Sequence, residues 1–220
     1  MTNKQTPFET ALENRDSDGT KLFSPSTARN RDPIRKTFLE TMPHTGKILE
    51  VGAGTGEHAV HIASALPDVT WHTGDPDPSA RASIMAWLRD AALPNLSGPH
   101  AIDVSTEEWG IEADGPFDGL LSINMIHIAP FAAAQGLFAG AERILAPAGK
   151  LFLYGPFSKD GIHISPSNET FDRSLKSRNP HWGIRDIDAD LLPLAEKNGL
   201  SLERIVSMPA NNLSLILRKN

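Results

Sequence analysis

The sequence predicts an α/β fold whose helices cover both faces of a doubly wound, mostly parallel β-sheet. Apolar segments typical of buried strands alternate with segments of helical periodicity along most of the chain. A glycine-rich loop follows the first of these strands and leads into a helix. Near the C-terminus, two further strands are separated only by MPANN. A connection this short predicts an antiparallel hairpin, because parallel strands need about a dozen residues or more to cross over.

Composition limits the class of protein. With 220 residues, 40% of them hydrophobic, the chain can bury one sizeable core, which favours a single domain. The net charge of −6 disfavours binding to nucleic acid by neutralising phosphates. The chain has no cysteine, which excludes disulfides, thiolate metal sites and a cysteine nucleophile. Neither a signal peptide nor a membrane-spanning run is recognisable, so we expect a cytoplasmic monomer or homodimer without a membrane partner.

The N-terminal part of the chain is predicted to stand apart from the rest. Residues 1–30 are polar and weakly periodic, which indicates an arm or lid, and residues 31–220 form the predicted domain. Asp32 and Pro33 are typical of an N-cap followed by a first-turn proline. The first helix is therefore predicted to begin there, followed by the buried strand KILEV and the glycine loop.

The alternation continues through four more strands. Apolar and β-branched runs predict them at residues 69–73, 100–104, 117–123 and 149–154. Between them, Ser79 is predicted to cap one helix, and residues 131–145 form another. The hairpin strands are predicted at residues 201–206 and 213–217. Parallel strands place their carboxyl ends at one edge of the sheet, which is where open α/β sheets bind ligands.

The glycine loop does not have the spacing of a phosphate-binding motif. Its glycines are Gly52, Gly54 and Gly56, and Glu57 stands where G-x-G-x-x-G requires the third glycine. No Gly-Lys-Ser/Thr follows either. The carboxylate of Glu57 would repel a phosphate group. We therefore expect a ligand that needs close approach of the backbone and is not an anion.

The segment from Glu50 to Gly56, Asp75 after the second predicted strand, Asp103 in the third and the terminal hairpin together resemble class I S-adenosylmethionine-dependent methyltransferases. This resemblance runs from about Lys47 to the C-terminus. It implies a Rossmann-like sheet of seven strands and S-adenosylmethionine as the cofactor. A sulfonium cation agrees with a loop that is not built for an anion.

The resemblance also implies which residues hold this cofactor. The three glycines would let the backbone pass the methionine moiety, Asp75 would accept from both ribose hydroxyls, and Asp103 with Val104 would bind adenine. The implied cofactor-binding residues are Glu50, Gly52, Ala53, Gly54, Thr55, Gly56, Asp75, Pro76, Asp103, Val104 and Asn124. A turn-forming role for Asp75, within the string GDPDP, is the simpler alternative.

A narrower similarity rests on segments outside these motifs. INMIHIAPF, LFLYGPF, SPSNETFDRSLKSRNPHWGIRD and MPANNLSLILRK, together with SPSTARNRDPI, resemble the methyltransferase-like protein 26 family. With them the similarity covers nearly the whole chain. It implies the same fold and cofactor but no particular substrate.

The region after the fifth predicted strand, residues 155–186, is rich in functional side chains and leaves the carboxyl edge of the sheet. We interpret it as a lid and pocket wall for an anionic or polar small molecule; a solvated helix face is the alternative. The candidate substrate-binding residues are Arg29, Asn30, Tyr154, Asn168, Arg173, Arg178, His181, Trp182 and Arg185. Asn211 and Asn212 are interpreted as turn residues.

Asn124 and His127 are the candidate catalytic residues. Asn124 matches the first position of the motif that amino-group methyltransferases carry after their fourth strand, but the prolines and the aromatic residue are missing, which disfavours DNA-adenine or glutamine methylation. The absence of cysteine excludes C5 methylation of pyrimidines through a thiolate. A histidine with an ordinary pKa could act as general base on a hydroxyl or thiol. A hydrogen-bonded core histidine is the alternative.

The predicted function is methyl transfer from S-adenosylmethionine to a small polar or anionic molecule, with an O- or S-acceptor favoured. His58 and His61 have a spacing that suits a metal, but no third ligand is near them in the sequence, so no metal is expected. Two other functions stay open. One is a protein side-chain methyltransferase, and the other is a regulatory or scaffold protein that binds S-adenosylmethionine without turnover.

Overall fold

The structure, a computed structural model, describes residues 15–220, so the first half of the predicted arm lies outside the described residues. The described chain opens with a short antiparallel hairpin, whose strands are β1 (Asp16–Asp18) and β2 (Lys21–Phe23). Helix α1 (Pro25–Thr41) follows it. No helix in residues 15–220 has the length and apolar character that crossing a membrane requires.

The next elements alternate between strand and helix. They are β3 (Gly46–Val51), α2 (Glu57–Ala63), β4 (Val69–Gly74), α3 (Pro78–Ala91), β5 (Leu96–His100), β6 (Phe117–Ile123), α4 (Phe131–Ile144) and β7 (Leu145–Gly155). A 3₁₀ turn, Glu112–Asp114, precedes β6.

The last third of the chain adds a small second sheet, two helices and the terminal hairpin. Its elements are β8 (Phe157–Lys159), β9 (Ile162–His163), α5 (Pro166–Arg178), β10 (Arg185–Asp186), α6 (Leu192–Lys197), β11 (Leu200–Met208) and β12 (Asn212–Lys219). Strands β10, β8 and β9 form a small separate sheet, which leaves α5 beside the carboxyl edge of the main sheet.

The main sheet confirms the predicted fold class. Its seven strands lie in the order β11-β12-β7-β6-β3-β4-β5. The five strands from β7 to β5 pair in parallel, while β11 and β12 form the antiparallel hairpin expected from their short connection. Helices α1 and α2 bury one face around Phe38 and Trp71, and helices α4 and α6 bury the other around Phe138. The carboxyl ends of the parallel strands therefore meet at one open edge.

The predicted start of the first helix is wrong. Helix α1 begins at Pro25, its N-cap is Ser24, and Pro33 lies inside it. The Ser24 hydroxyl accepts the backbone N–H of Thr27 at 3.1 Å, which caps the helix about two turns earlier than Asp32 could. Residues 25–30 thus lie within helix α1.

Two further boundaries differ from prediction. The strand predicted at residues 100–104 lies instead at Leu96–His100, as β5. Ile102 and Val104 are buried in the loop that follows it and do not pair in the sheet. Helix α3 is capped by Asp77, whose carboxylate accepts the N–H of Ser79 at 2.8 Å, and Ser79 stands in the first turn. Asp103 consequently lies in the loop beyond β5.

Candidate functional site

A cavity of about 1510 Å³ opens at the carboxyl edge of the main sheet. The loops after β3, β4, β5 and β6 form its floor, and residues of α1, α5 and the β11–β12 turn form its walls. This volume exceeds the roughly 300–1,000 Å³ of ordinary small-molecule sites. It is large enough for two ligands side by side.

The glycine loop after β3 has backbone conformations that only glycine adopts easily. The φ angles of Gly52, Gly54 and Gly56 are 65°, 60° and 91°. Gly52 and Gly54 line the cavity. Gly56 does not, and a Cβ atom there would lie 2.9 Å from the Cα of Ile84 in α3. Two glycines therefore let a ligand approach the backbone, and the third lets two helices pack.

Asp75 stands directly after β4 with its carboxyl group buried. One oxygen accepts the N–H of Gly54 at 2.9 Å, and the other accepts the N–H of Asp77 at 2.9 Å. Burial raises the pKa of Asp75. Because each carboxylate oxygen can accept more than one hydrogen bond, this fixed side chain can also receive donors from a ligand in the cavity.

Glu50, near the end of β3, also lines the cavity and is 1% exposed. Burial, with a smaller contribution from Asp75, raises its pKa to about 8, although the indole N–H of Trp71 donates to it at 3.3 Å. A buried acid held in its neutral form by its surroundings favours a positively charged ligand, which would stabilise the carboxylate.

Glu57 does not line the cavity, contrary to the expectation that it opposes an anion there. Its carboxylate accepts the N–H of Ser24 at 2.7 Å and the hydroxyl of Thr55 at 2.9 Å. The acid after the glycine loop is thus used to fasten the start of α1.

The loop after β5 contributes Asp103 and Val104 to the cavity lining. Asp103 is half-buried, and one carboxylate oxygen accepts both the N–H and the hydroxyl of Ser105, at 2.9 and 2.6 Å. Val104 is buried, and its carbonyl lies so close to α4 that a Cβ at Gly136 would be only 2.0 Å away. Close packing against α4 therefore positions this loop.

Asn124 and His127 follow β6, and both line the cavity. A Cβ added at Gly155 would lie 3.3 Å from Nδ1 of His127 and 3.7 Å from Oδ1 of Asn124, so the two side chains converge at the end of β7. His127 is 4% exposed, and its ring contacts Phe171 edge to face with centroids 5.9 Å apart.

The pKa of His127 departs from the ordinary histidine value. Burial, and then the charge of Arg185, lower its pKa to about 3. His127 is therefore a neutral imidazole that can accept a hydrogen bond from a ligand but is a weak base by itself.

The part of the cavity around α5 and the terminal hairpin is lined mainly by amides and aromatic rings. These residues are Asn30, Tyr154, Asn168, Phe171, Trp182 and Asn212. The side chains of Asn30 and Asn212 hydrogen-bond the Tyr154 hydroxyl, and the Asn168 amide donates to the Asn211 carbonyl at 2.9 Å. Asn212, interpreted as a turn residue, thus belongs to the cavity wall.

The predicted cations divide into two groups. Arg29 and Arg178 line the cavity, whereas Arg173, His181 and Arg185 do not. Arg173 pairs with Glu169 on the exposed face of α5 at 3.2 Å, as the solvated-face alternative supposed.

Arg185 binds backbone carbonyl groups outside the cavity. Its guanidinium donates to the carbonyls of Ile126, Ala129 and His181 and lies over the ring of Phe131, at 5.4 Å from the centroid. It therefore supports the loop that carries His127 from outside the cavity.

Sequence reasoning missed several lining residues, including Arg15, Ser24, Thr27, His58 and Met125. His58 is 7% exposed, its Nδ1 has no partner among the described residues, and burial lowers its pKa to about 3. His58 therefore faces the ligand cavity. Its position two residues after Gly56 was the only signal in the sequence.

The main sheet and its helices match solved methyltransferases. The mitomycin 7-O-methyltransferase MmcR superposes with a TM-score of 0.72 at 14% identity, over 89% of this chain and 54% of that one. Magnesium protoporphyrin IX methyltransferase (ChlM) from Synechocystis PCC 6803, with bound SAH, gives a TM-score of 0.64 at 13% identity, over 86% of this chain and 81% of that one. At these identities the likeness shows the fold.

The sequence also matches part of a much larger protein. Over 127 residues, 53% of this chain, it is 32% identical to the highly reducing polyketide synthase ALT1 of Alternaria alternata, and the match covers 5% of that protein. This chain therefore spans a small part of the curated relative. The model of one family, described as "Protein of unknown function (DUF938)", matches residues 21–219, and the chain belongs to the DUF938 family.

Proposed function

We propose that this protein is a methyltransferase that uses S-adenosylmethionine to methylate a small polar or anionic molecule, with oxygen or sulfur as the favoured acceptor. The observation that carries the proposal is Asp75. Its carboxylate is buried at the end of β4, is held by the N–H groups of Gly54 and Asp77, and lines the cavity. An acid in this position suits the two hydroxyls of a ribose.

The charges of the cavity support this cofactor. Among the described lining residues the carboxyl groups are Glu50, Asp75 and Asp103, and all three lie on the side of the glycine loop. A sulfonium, an ammonium, a ribose diol and an adenine amino group would meet acceptors there. Glu50, whose pKa burial raises to about 8, would gain a compensating cation. The residues present therefore fit S-adenosylmethionine.

When bound, S-adenosylmethionine supplies a methyl group on a positively charged sulfur. The chain has to hold the acceptor in line with that methyl, and positioning of this kind can supply most of the rate enhancement. Asn124 and His127 converge beside Gly155, where an acceptor hydroxyl can donate to the neutral imidazole. His127 would accept the hydroxyl proton as the oxygen is methylated, because the proton then becomes strongly acidic and a weak base suffices.

The acceptor class follows from the other half of the cavity. No acid from the described chain lines it, and Arg29 and Arg178 stand at its wall. The amides and Tyr154 can bind polar groups, and Phe171 and Trp182 can contact a ring. MmcR and ChlM are named for small-molecule acceptors, mitomycin and magnesium protoporphyrin IX, which supports the same class here.

The similarity to the methyltransferase-like protein 26 family agrees with this proposal and remains an inference. The protein side-chain methyltransferase and the non-catalytic binding protein are the alternatives. The amide-lined wall beside α5 favours a small acceptor over a protein segment. A cytoplasmic location and a monomeric or homodimeric state remain predictions.

Calorimetric titration with S-adenosylmethionine and its demethylated product, with NAD and ATP as controls, tests the cofactor. We expect binding of both adenosyl compounds, and Asp75→Ala should weaken it by about 1–3 kcal/mol because a bound diol loses its acceptor. Asp68→Ala, which changes an exposed acid, is the matched control. Absence of binding, or preference for NAD, would refute the cofactor; binding without methyl transfer to any small acceptor would favour the scaffold alternative.

A further inference from the structure

A second cluster of chemically active side chains lies away from the cavity. His72 on β4, His100 at the end of β5 and Asp114 in the 3₁₀ turn before β6 each present one donor atom, and these three atoms lie within 4.8 Å of one another. None of the three residues lines the cavity. The fold thus brings together residues 28 and 14 positions apart in sequence.

The histidines have nitrogen atoms suited to a ligand. Nε2 of His100 is buried and has no hydrogen-bonding partner in the described part of the chain. Nδ1 of His72 lies 3.2 Å from the hydroxyl of Ser97, which leaves the other ring nitrogen available. A hydrogen bond of this kind, to the nitrogen that does not bind metal, commonly orients metal-binding histidines.

The charges around the cluster also decide whether a cation can bind. The positive charge of Lys47 would repel a bound cation, since its ammonium donates to the Asp114 carbonyl at 2.6 Å. The Asp114 carboxylate acts against this repulsion by contributing a negative charge to the site.

We propose that His72, His100 and Asp114 bind a divalent transition metal, with Zn²⁺ as the probe ion, and that the metal fastens the edge strand β5 to β4 and the 3₁₀ turn. Zinc accepts imidazole nitrogen and carboxylate oxygen at about 2.0–2.2 Å, so donors up to about 4 Å apart can share one ion. The three donor atoms lie within 4.8 Å of one another, so small side-chain rotations can bring them onto one ion. Water would complete four-fold coordination.

Zinc titration of the metal-free full chain tests this site. We expect one Zn²⁺ per chain and a melting temperature that rises with zinc concentration, because a ligand that binds only the folded state stabilises it. His72→Ala and Asp114→Asn should each weaken binding by more than the roughly 10–100-fold that loss of an outer-shell partner costs. Circular dichroism would establish that each variant is folded.

The matched control is His61→Ala, because His61 also lies beside an acid, 2.8 Å from Asp32. It should leave zinc binding unchanged. Anomalous diffraction at the zinc edge should place the ion between β4 and β5. Absence of stoichiometric binding, or full affinity in either site variant, would overturn the proposal.

Discussion

The carboxylate of Glu57 accepts the backbone N–H of Ser24 at 2.7 Å, across 33 positions of sequence. Through this bond the first residue of α2 holds the N-cap of α1, the helix that carries Thr27 and Asn30 into the cavity wall. Glu57 therefore helps to position the start of a helix that lines the ligand cavity.

Glu57→Ala should free the start of α1. The buried N–H of Ser24 would lose a charged acceptor, at a cost of about 1–3 kcal/mol in the free energy of unfolding. Urea denaturation measures this loss, and hydrogen exchange should rise at residues 21–30. Glu40→Ala, which changes an exposed acid on α1, is the control and should change neither. Equal exchange in both variants would show that Glu57 does not fasten this segment.

The stability of the ligand-free protein should fall as the pH rises from neutrality through about 8. Burial raises the pKa of Glu50 from 4.5 to about 8, so the folded state keeps a proton that the unfolded state releases. The stabilisation from protonated Glu50 is complete below pH 4.5, its pKa in the unfolded chain, and is lost as the pH rises through about 8, its pKa in the folded protein. The loss is at most about 1.4 kcal/mol per pH unit. Glu50→Gln, which is neutral at every pH, should remove the slope.

Measurements above pH 6.5 isolate this effect. The pKa values of His58 and His127 are lowered from 6.5 to about 3, so their contributions are lost only as the pH falls below 6.5. Urea unfolding of wild type and Glu50→Gln at several pH values gives the comparison. Parallel slopes would show that Glu50 is ionised in the folded protein.

His58→Ala should weaken binding of ligands that carry the methionine carboxylate and leave binding of the adenosyl part unchanged. The neutral, buried ring lines the cavity, and we expect it to donate a hydrogen bond to the carboxylate of the methionine moiety. Affinity for S-adenosylhomocysteine should fall by about 1–3 kcal/mol. Affinity for 5′-methylthioadenosine, which lacks that carboxylate, should stay unchanged. Loss of both affinities would place His58 elsewhere on the ligand or in the fold.

Methyl transfer should show no loss of activity near pH 6.5 that belongs to His127. Burial and Arg185 keep this imidazole neutral down to about pH 3, so it can accept a proton across the usual assay range. His127→Ala should slow transfer to a hydroxyl acceptor by about 10²–10⁴-fold, and less for a thiol, without weakening cofactor binding.

The matched control for His127 is His181→Ala, because His181 is exposed and outside the cavity lining. Its turnover should equal that of wild type. An acidic limb near pH 6.5 that disappears in His127→Ala would show that the histidine titrates normally. Unchanged turnover in His127→Ala would remove it from the reaction.

Local sequence signals located the strands of the main sheet except β5, which was predicted at residues 100–104 and lies at Leu96–His100. The strand predicted at 117–123 is β6, and the short MPANN connection correctly required an antiparallel hairpin. These features depend on residue periodicity and on the length of the connection between two strands, which are local properties. The same local signals failed at α1, because Ser24-Pro25 and Asp32-Pro33 both resemble a helix start. The distant contact from Glu57 holds the earlier one.

The sequence by itself determined the alternating sheet, the glycine loop and the placement of Asp75 and Asn124 just beyond their strands, because each depends on neighbours along the chain. Only the tertiary structure decided that Glu57 turns away from the cavity, that Asn212 belongs to its wall and that His72, His100 and Asp114 meet. It also decided the protonation of Glu50 and His127. Burial and long-range contact set these properties, and neither is visible in residue spacing.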